Sequence, residues 1–273
     1  MRQFCLAFLL TILATVPVQA LDLDGPLVQG ALRIGTVEAG TSVIVDETAV
    51  RVSPRTGKFV FGVGRDRTKP IRIVVSGSDG VSEAFTLAVT VRKFDIERID
   101  GLPPRKVSPN TADMDRIRRE GRLISAARAR DSELTHALAG FRWPMTGRIS
   151  GRYGNQRILS GKPRRAHLGV DIAAPTGTPV GASAAGVVSL AEPDMFFTGG
   201  TVAIDHGHGV TSIYSHLASI AVPVGKQVDV GEMIGTVGST GRSTGPHLDW
   251  RINWFDLRLD PELIAGPMPV RGN

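Results

Sequence analysis

Three short runs carry side chains able to do chemistry. His167-Leu168-Gly169-Val170-Asp171 sets an imidazole four residues before a carboxylate, Tyr214-Ser215-His216-Leu217 holds a lone histidine, and Gly245-Pro246-His247-Leu248-Asp249-Trp250 sets a histidine two residues before an aspartate. Imidazole nitrogen and carboxylate oxygen are both ligands for a divalent ion, and a catalytic metal site usually takes three protein ligands and keeps one position open. On a strand, residues two apart share a face, so His247 and Asp249 can act together. His167 and Asp171 would stand about 13 Å apart on a fully extended strand, at roughly 3.3 Å per residue. They can serve one ion only if the chain bends, and Gly169 between them gives that freedom.

The elements that must position these groups can be read from patterning. His247-Leu248-Asp249-Trp250-Arg251-Ile252-Asn253-Trp254 alternates polar and apolar without exception. It predicts a half-buried strand with Leu248, Trp250, Ile252 and Trp254 in a core and His247, Asp249, Arg251 and Asn253 on the floor of a groove. The whole region from Phe141 onward is Gly-rich and predicted β, and it holds five of the six histidines. Upstream, residues 21–100 read as short strands separated by turns such as Pro54-Arg55-Thr56-Gly57 and Ser78-Asp79-Gly80. That spacing predicts a small β-sandwich of immunoglobulin-like size, a spacer or docking module. Residues 101–140 are a proline-rich linker followed by a helix from Thr111 to about Gly140, with Thr111 as N-cap and Asp113 and Asp115 in its first turn. Met114, Ile117, Ile124, Leu134 and Leu138 form a stripe too irregular for a coiled coil, which predicts a helix packed along its own domains. The helix and the sandwich are also the surfaces available to an envelope protein partner.

These pieces resemble the lysostaphin/LytM-type zinc metallopeptidases, whose hallmark is H-x3-D followed later by H-x-H. Ala174-Pro175-Thr176-Gly177-Thr178-Pro179-Val180, Asp205-His206-Gly207-His208-Gly209 and Ser239-Thr240-Gly241-Arg242-Ser243-Thr244-Gly245-Pro246 stand in the expected order, and the likeness covers about residues 141–262. The resemblance implies a small antiparallel β-sheet domain with an open groove, spanning residues 141–273. It assigns His167 and Asp171 to zinc-ligand positions, and His216 and His247 to the two catalytic histidines that act on the water and on the oxyanion. It implies an exported zinc metallo-endopeptidase that hydrolyses peptide bonds in peptidoglycan. His206 and His208 fall in a tight turn and read as structural.

One residue departs from the hallmark: Asp249 stands where the second histidine of H-x-H, the third zinc ligand, is expected. Carboxylate oxygen is a legitimate zinc ligand. A site of one histidine and two aspartates carries two negative ligands, however, which makes the ion less electrophilic and favours a harder ion such as Mn²⁺ more than usual. The alternative for Asp249 is a salt bridge to Arg251 on the same face. That would leave two ligands and a non-catalytic LytM-like module that binds the cell wall or activates another hydrolase. The stretch from Arg152 to Arg165 brings five basic residues to the approach of His167 with no acid among them. It is either a solvated loop or a holder of substrate carboxylates.

Charge and composition exclude other classes. The 273 residues carry a net charge of +6, with bases spread along the chain and only 5% aromatic residues, which argues against a nucleic-acid partner. The single cysteine, Cys5, rules out an internal disulfide and any thiolate zinc cluster. The first 20 residues read as a cleavable signal peptide: Arg2, an apolar run from Phe4 to Val16, and small residues at Val18 and Ala20. Nothing after them is apolar enough to span a bilayer, so the expected location is the periplasm or cell envelope.

Overall fold

In this computed structural model, which describes residues 20–102 and 104–269, the alternating run His247–Trp254 is a central strand of the largest sheet. The expected signal peptide, residues 1–20, lies outside the described residues except for Ala20. On one side this strand pairs with Val210–Ile220 and on the other with Val170–Ala173, both antiparallel. Gly199–Asp205 and Gly186–Met195 extend the sheet beyond Val210–Ile220, and Arg148–Gly151 extends it beyond Val170–Ala173. The apolar face is a core: Leu248, Trp250 and Ile252 are fully buried with Val170, Ile172, Val202, Ile204 and Tyr214. Period-2 alternation thus sets which side chains meet the groove, because a one-residue slip would exchange the two faces.

The N-terminal region is two antiparallel sheets. Asp22–Leu23, Leu32–Thr36 and Lys58–Gly62 form one, and Thr48–Val50, Ser42–Val45, Ile71–Ser76 and Ser82–Leu87 form the other. Phe59, Phe61, Val43, Val45, Ile71, Ile73 and Val75 belong to a single apolar core shared by the two sheets. That core runs on into the C-terminal domain, where a Cβ added at Gly62 would lie 2.9 Å from Leu259 and 3.2 Å from Trp254. A buried Asp260 accepts from Arg92 at 2.7 Å across the same junction. The protein is mainly β, as the sequence predicts.

The linker departs from the sequence reading in two ways. Ile96–Ile99, at the end of the span read as sandwich, joins neither N-terminal sheet and acts as a linker strand: it pairs in parallel with Gln156–Leu159, which itself forms a hairpin with Lys162–Pro163. The basic stretch before His167 therefore supplies two strands of a three-stranded sheet whose third is Ile96–Ile99. The helix is Thr111–Arg128, not a helix to Gly140, and its N-cap is Asn110, whose side chain accepts from the Asp113 amide. Beyond Arg128 tertiary contacts take over: Asp131 meets Arg51, Ser132 accepts from the His208 amide, and a one-turn 3-10 helix follows at His136–Ala139. Among the described residues no helix is long and apolar enough to cross a membrane.

His206 and His208 occupy the turn between Gly199–Asp205 and Val210–Ile220, matching their structural reading. His206 is fully buried, with Nδ1 donating to the Ala185 carbonyl at 2.7 Å and Nε2 2.7 Å from Ser212 Oγ. Burial lowers its pKa from 6.5 to about 4. Between those values an unfolded chain takes up a proton that the folded one refuses, so stability falls as pH drops from 6.5 to 4, by up to about 3 kcal/mol for this group. We expect the Tm to decline across this window, and the His206→Gln variant, though less stable overall, to decline less; thermal unfolding followed from pH 4 to 7 checks it.

Candidate active site

Strand pairing brings the two aspartates together. Asp171 and Asp249 are directly opposite each other on adjacent strands, and Ala173 is opposite His247. Both carboxylates are buried, at 7% and 2% exposure. Like charges at such a position repel, so the pairing needs cations. The chain at 167–171 bends as required: His167 Nε2 lies 3.4 Å from Asp171 Oδ1. The bend is held by backbone bonds from the His167 amide to Asn155 and from the Gly154 amide to the His167 carbonyl, both to the basic hairpin region. Gly169 serves a different end from the one its position predicts. A Cβ there would lie 2.6 Å from Arg251 Cγ and 2.8 Å from Asp249 Oδ1, so its bareness is what lets the His247–Trp254 strand approach.

His216 is aimed into this site by a β-bulge. Val202 pairs with Tyr214 and Gly200 with Leu217, leaving one extra residue on the His216 strand. His216 itself has φ of 65°, a left-handed conformation costly for a non-glycine residue. Its Nδ1 donates to the Thr240 carbonyl at 2.7 Å. His247 likewise donates from Nδ1 to the Gly245 carbonyl at 2.9 Å. A carbonyl only accepts, so both rings carry their proton on Nδ1 when neutral and present a bare Nε2. The rings lie 4.7 Å apart, and His247 Nε2 is 3.8 Å from Asp171 Oδ1. Burial lowers the His216 pKa to about 4, so this ring is neutral at pH 7.

The electrostatics are governed by two arginines, Arg251 and Arg157. Arg251 Nε donates to Asp249 at 2.9 Å, and its terminal nitrogen reaches the other oxygen. Arg157 bridges Glu97 of the linker strand at 3.2 Å and Asp171 Oδ2 at 2.5 Å. Burial alone would raise both carboxyls. At Asp249 the Arg251 guanidinium overrides burial and holds the group well below the usual carboxylate range. At Asp171 burial, reinforced by the facing Asp249, wins and raises the pKa to about 6. The only signals for Arg157 and Arg242 in the sequence were a run of bases and a place in the Ser239–Pro246 stretch.

The donors fit a divalent ion. His167, Asp171 and Asp249 each offer a ligand atom, and these atoms all lie within 4.8 Å of one another. Both ring nitrogens of His167 and Asp171 Oδ1 are buried without a hydrogen-bond partner, a costly state for three polar atoms in one place. Burial pushes the His167 pKa well below its usual value, leaving the neutral form that ligates metals. The Asp249–Arg251 pair foreseen from the sequence is also present, so Asp249 is at once ion-paired and within reach of the ligand cluster.

One buried histidine and two carboxylates on a sheet, flanked by two histidines with free Nε2 atoms, is the donor set of a metal-assisted hydrolase. Residues 165–261 match the family model described as Peptidase family M23. A Pseudomonas aeruginosa chain whose crystal structure is described as a peptidase M23 superposes with a TM-score of 0.68 at 30% identity, covering 89% of this chain and 96% of that one. The chain belongs to peptidase family M23. Among curated relatives, it is 45% identical over 105 residues to the DD-carboxypeptidase/endopeptidase Mpg of Neisseria meningitidis, covering 38% of this chain and 24% of that protein. It is 41% identical over 106 residues to the peptidoglycan DD-endopeptidase ShyA of Vibrio cholerae, again 38% and 24%. The chain thus matches only about a quarter of the length of these curated relatives.

The ligand assignment has a direct readout. Zn²⁺ in hundredfold excess over its Kd should stabilise the metal-free protein by about 2.7 kcal/mol, a rise in Tm of roughly 5 °C or more. His167→Ala, Asp171→Asn and Asp249→Asn should each remove the rise, and Asp249→His should enlarge it. Differential scanning calorimetry with and without Zn²⁺ checks all four.

Proposed function

We propose that this chain is an exported zinc metallo-endopeptidase that hydrolyses peptide bonds in the peptidoglycan of the periplasm or cell envelope. The observation that carries the reading is the buried His167–Asp171–Asp249 cluster with its unpartnered donor atoms, set beside two histidines in the same tautomer. Its relatives named as peptidoglycan DD-endopeptidases point to the same substrate class.

His167 Nε2, Asp171 Oδ1 and an oxygen of Asp249 would hold the ion, which supplies Lewis acidity toward water and the scissile carbonyl when bound. The protein's own residues do the rest. Arg157 takes Asp171 Oδ2 and so turns Oδ1 inward. His247 Nε2, on the Asp171 side, is placed to accept a proton from the attacking water. His216, its ring locked by Thr240 and buried, is placed to donate to the developing oxyanion or leaving amine once protonated. The helix Thr111–Arg128 closes the cleft from above: Ile117, Glu120, Gly121 and Ile124 line a cavity of about 280 Å³ with His216, Asp249 and Arg251.

A second reading has one observation in its favour. Arg251 engages both oxygens of Asp249, which is what a non-catalytic wall-binding module, or an activator of another hydrolase, would retain after losing its ion.

Purified sacculi separate the two. The mature protein should release soluble muropeptides, chelator should stop the release, and Zn²⁺ should restore it. His216→Ala and His247→Ala should each slow it by about 10²–10⁴-fold while keeping the Zn²⁺-induced rise in Tm. Protein that binds sacculi and releases nothing with Zn²⁺ present would establish the second reading instead.

A further inference from the structure

The cleft holds more positive charge than its carboxylates use. Arg157 is paired with Glu97 and Asp171, and Arg251 with Asp249. Arg242, on the same cavity wall, has no carboxylate partner among the described residues. Its guanidinium lies 4.5 Å above the Phe197 ring and makes one long contact, 3.5 Å, to the Lys106 carbonyl. It is half-buried and lines the cavity together with Arg157, Arg251, His216 and Asp249. Burial and the neighbouring Arg157, Arg251 and Arg164 lower its pKa to about 10, so it remains charged at pH 7 at an energetic cost. Glu120 offers no compensation, since its two oxygens are taken by Arg116 and the Phe196 amide.

A charged guanidinium in a cleft, stacked on an aromatic ring and left with free N–H donors, suits a planar bidentate acceptor. We propose that Arg242 is the recognition residue of a carboxylate subsite, seated beside the His167–Asp171–Asp249 cluster and under the helix, that selects peptide substrates bearing a free carboxylate next to the scissile bond. A divalent ion on the cluster would add to the positive field and strengthen the same preference. This rests on the peptidase reading above and narrows it to a substrate class. Arg242 is a binding residue here, and the reaction itself proceeds on the groups already named. The carboxylate can be a chain terminus or an acidic side chain; both present the same group to the guanidinium.

Binding to chelator-treated, full-length mature protein tests this without turnover. Isothermal titration would compare N-acetyl-D-alanyl-D-alanine with its C-terminal amide, and N-acetyl-alanyl-glutamate α-amide with the corresponding glutamine peptide. At least one acid should bind tenfold or more tighter than its amide, which is about 1.4 kcal/mol, and the pair that shows it identifies terminal or side-chain carboxylate. Arg242→Met, an uncharged side chain that can still pack toward Phe197, should erase the difference by weakening only the acid. Arg242→Lys should keep part of it, and an unchanged circular dichroism melt would show that both variants fold. Equal binding of acid and amide, an acid preference that survives Arg242→Met, or no binding at millimolar peptide would each overturn the subsite. Muropeptide release by the wild type alongside any of those results would leave the hydrolase reading standing, and an acid preference in a protein that never cuts sacculi would do the reverse.

Discussion

Two buried carboxylates face each other across adjacent strands, and the rest of the site follows from that juxtaposition. The register that sets Asp171 against Asp249 also sets Val170 against Trp250 and Ile172 against Leu248, all deep in the core. Apolar packing on one face therefore enforces a repulsive pairing on the other. Repulsion between ionised groups a few ångströms apart in a dry interior is worth several kcal/mol. The protein meets it with cations from two unrelated directions: Arg251 from the same strand, two residues on, and Arg157 from a hairpin that the linker strand Ile96–Ile99 holds in place. His167 then fills the remaining space with a neutral ring.

That arrangement ties the N-terminal region and linker to the C-terminal domain. Glu97 lies on the parallel linker strand and fixes Arg157, and Arg157 fixes Asp171. The helix is anchored next to the site by Arg116 on Asp194 and by Glu120 accepting the Phe196 amide, and its apolar contribution is confined to Ile124 and Ala127 against Leu190, Met195, Ala203 and Ile213. A helix held mostly by polar contacts over a cleft is bound less firmly than the sheet beneath it, because exposed ion pairs contribute little each.

Much of this was legible in the sequence because alternation has a steric meaning. The run His247–Trp254 fixed the two faces correctly, and the resemblance carried the order of His167, Asp171, His216 and His247 onto one domain. What was not legible depended on contacts between distant segments. The bulge that turns His216 inward arises from a register shift against Gly200–Val202, invisible in either strand alone. Gly169 read as a hinge and proved to be a point of close approach, since the atoms that demand it come from residues 249–251. The helix stops at Arg128 because the next residues bind Arg51 and the His206–Gly209 turn, which local propensity does not encode. Asn110 displaced Thr111 as cap by one residue, within the ordinary uncertainty of helix ends.

Asp249 reads from the sequence as ligand or ion-pair partner, and the structure makes the two roles compatible. A carboxylate has about four lone-pair sites. Arg251 takes up part of that capacity, while Asp249 still offers a ligand atom within 4.8 Å of those of His167 and Asp171. By lowering the Asp249 pKa, the guanidinium keeps the group ionised at any pH where an ion would bind. The pair therefore costs some charge at the centre but supplies orientation, much as outer partners do for ligands elsewhere. The carboxylate and the guanidinium cancel, so the pair leaves the site with the same net charge as a neutral imidazole. Replacing a neutral imidazole by a carboxylate thus brings its own countercharge with it, and the positive charge left over in the cleft is that of Arg242, which has no carboxylate partner among the described residues.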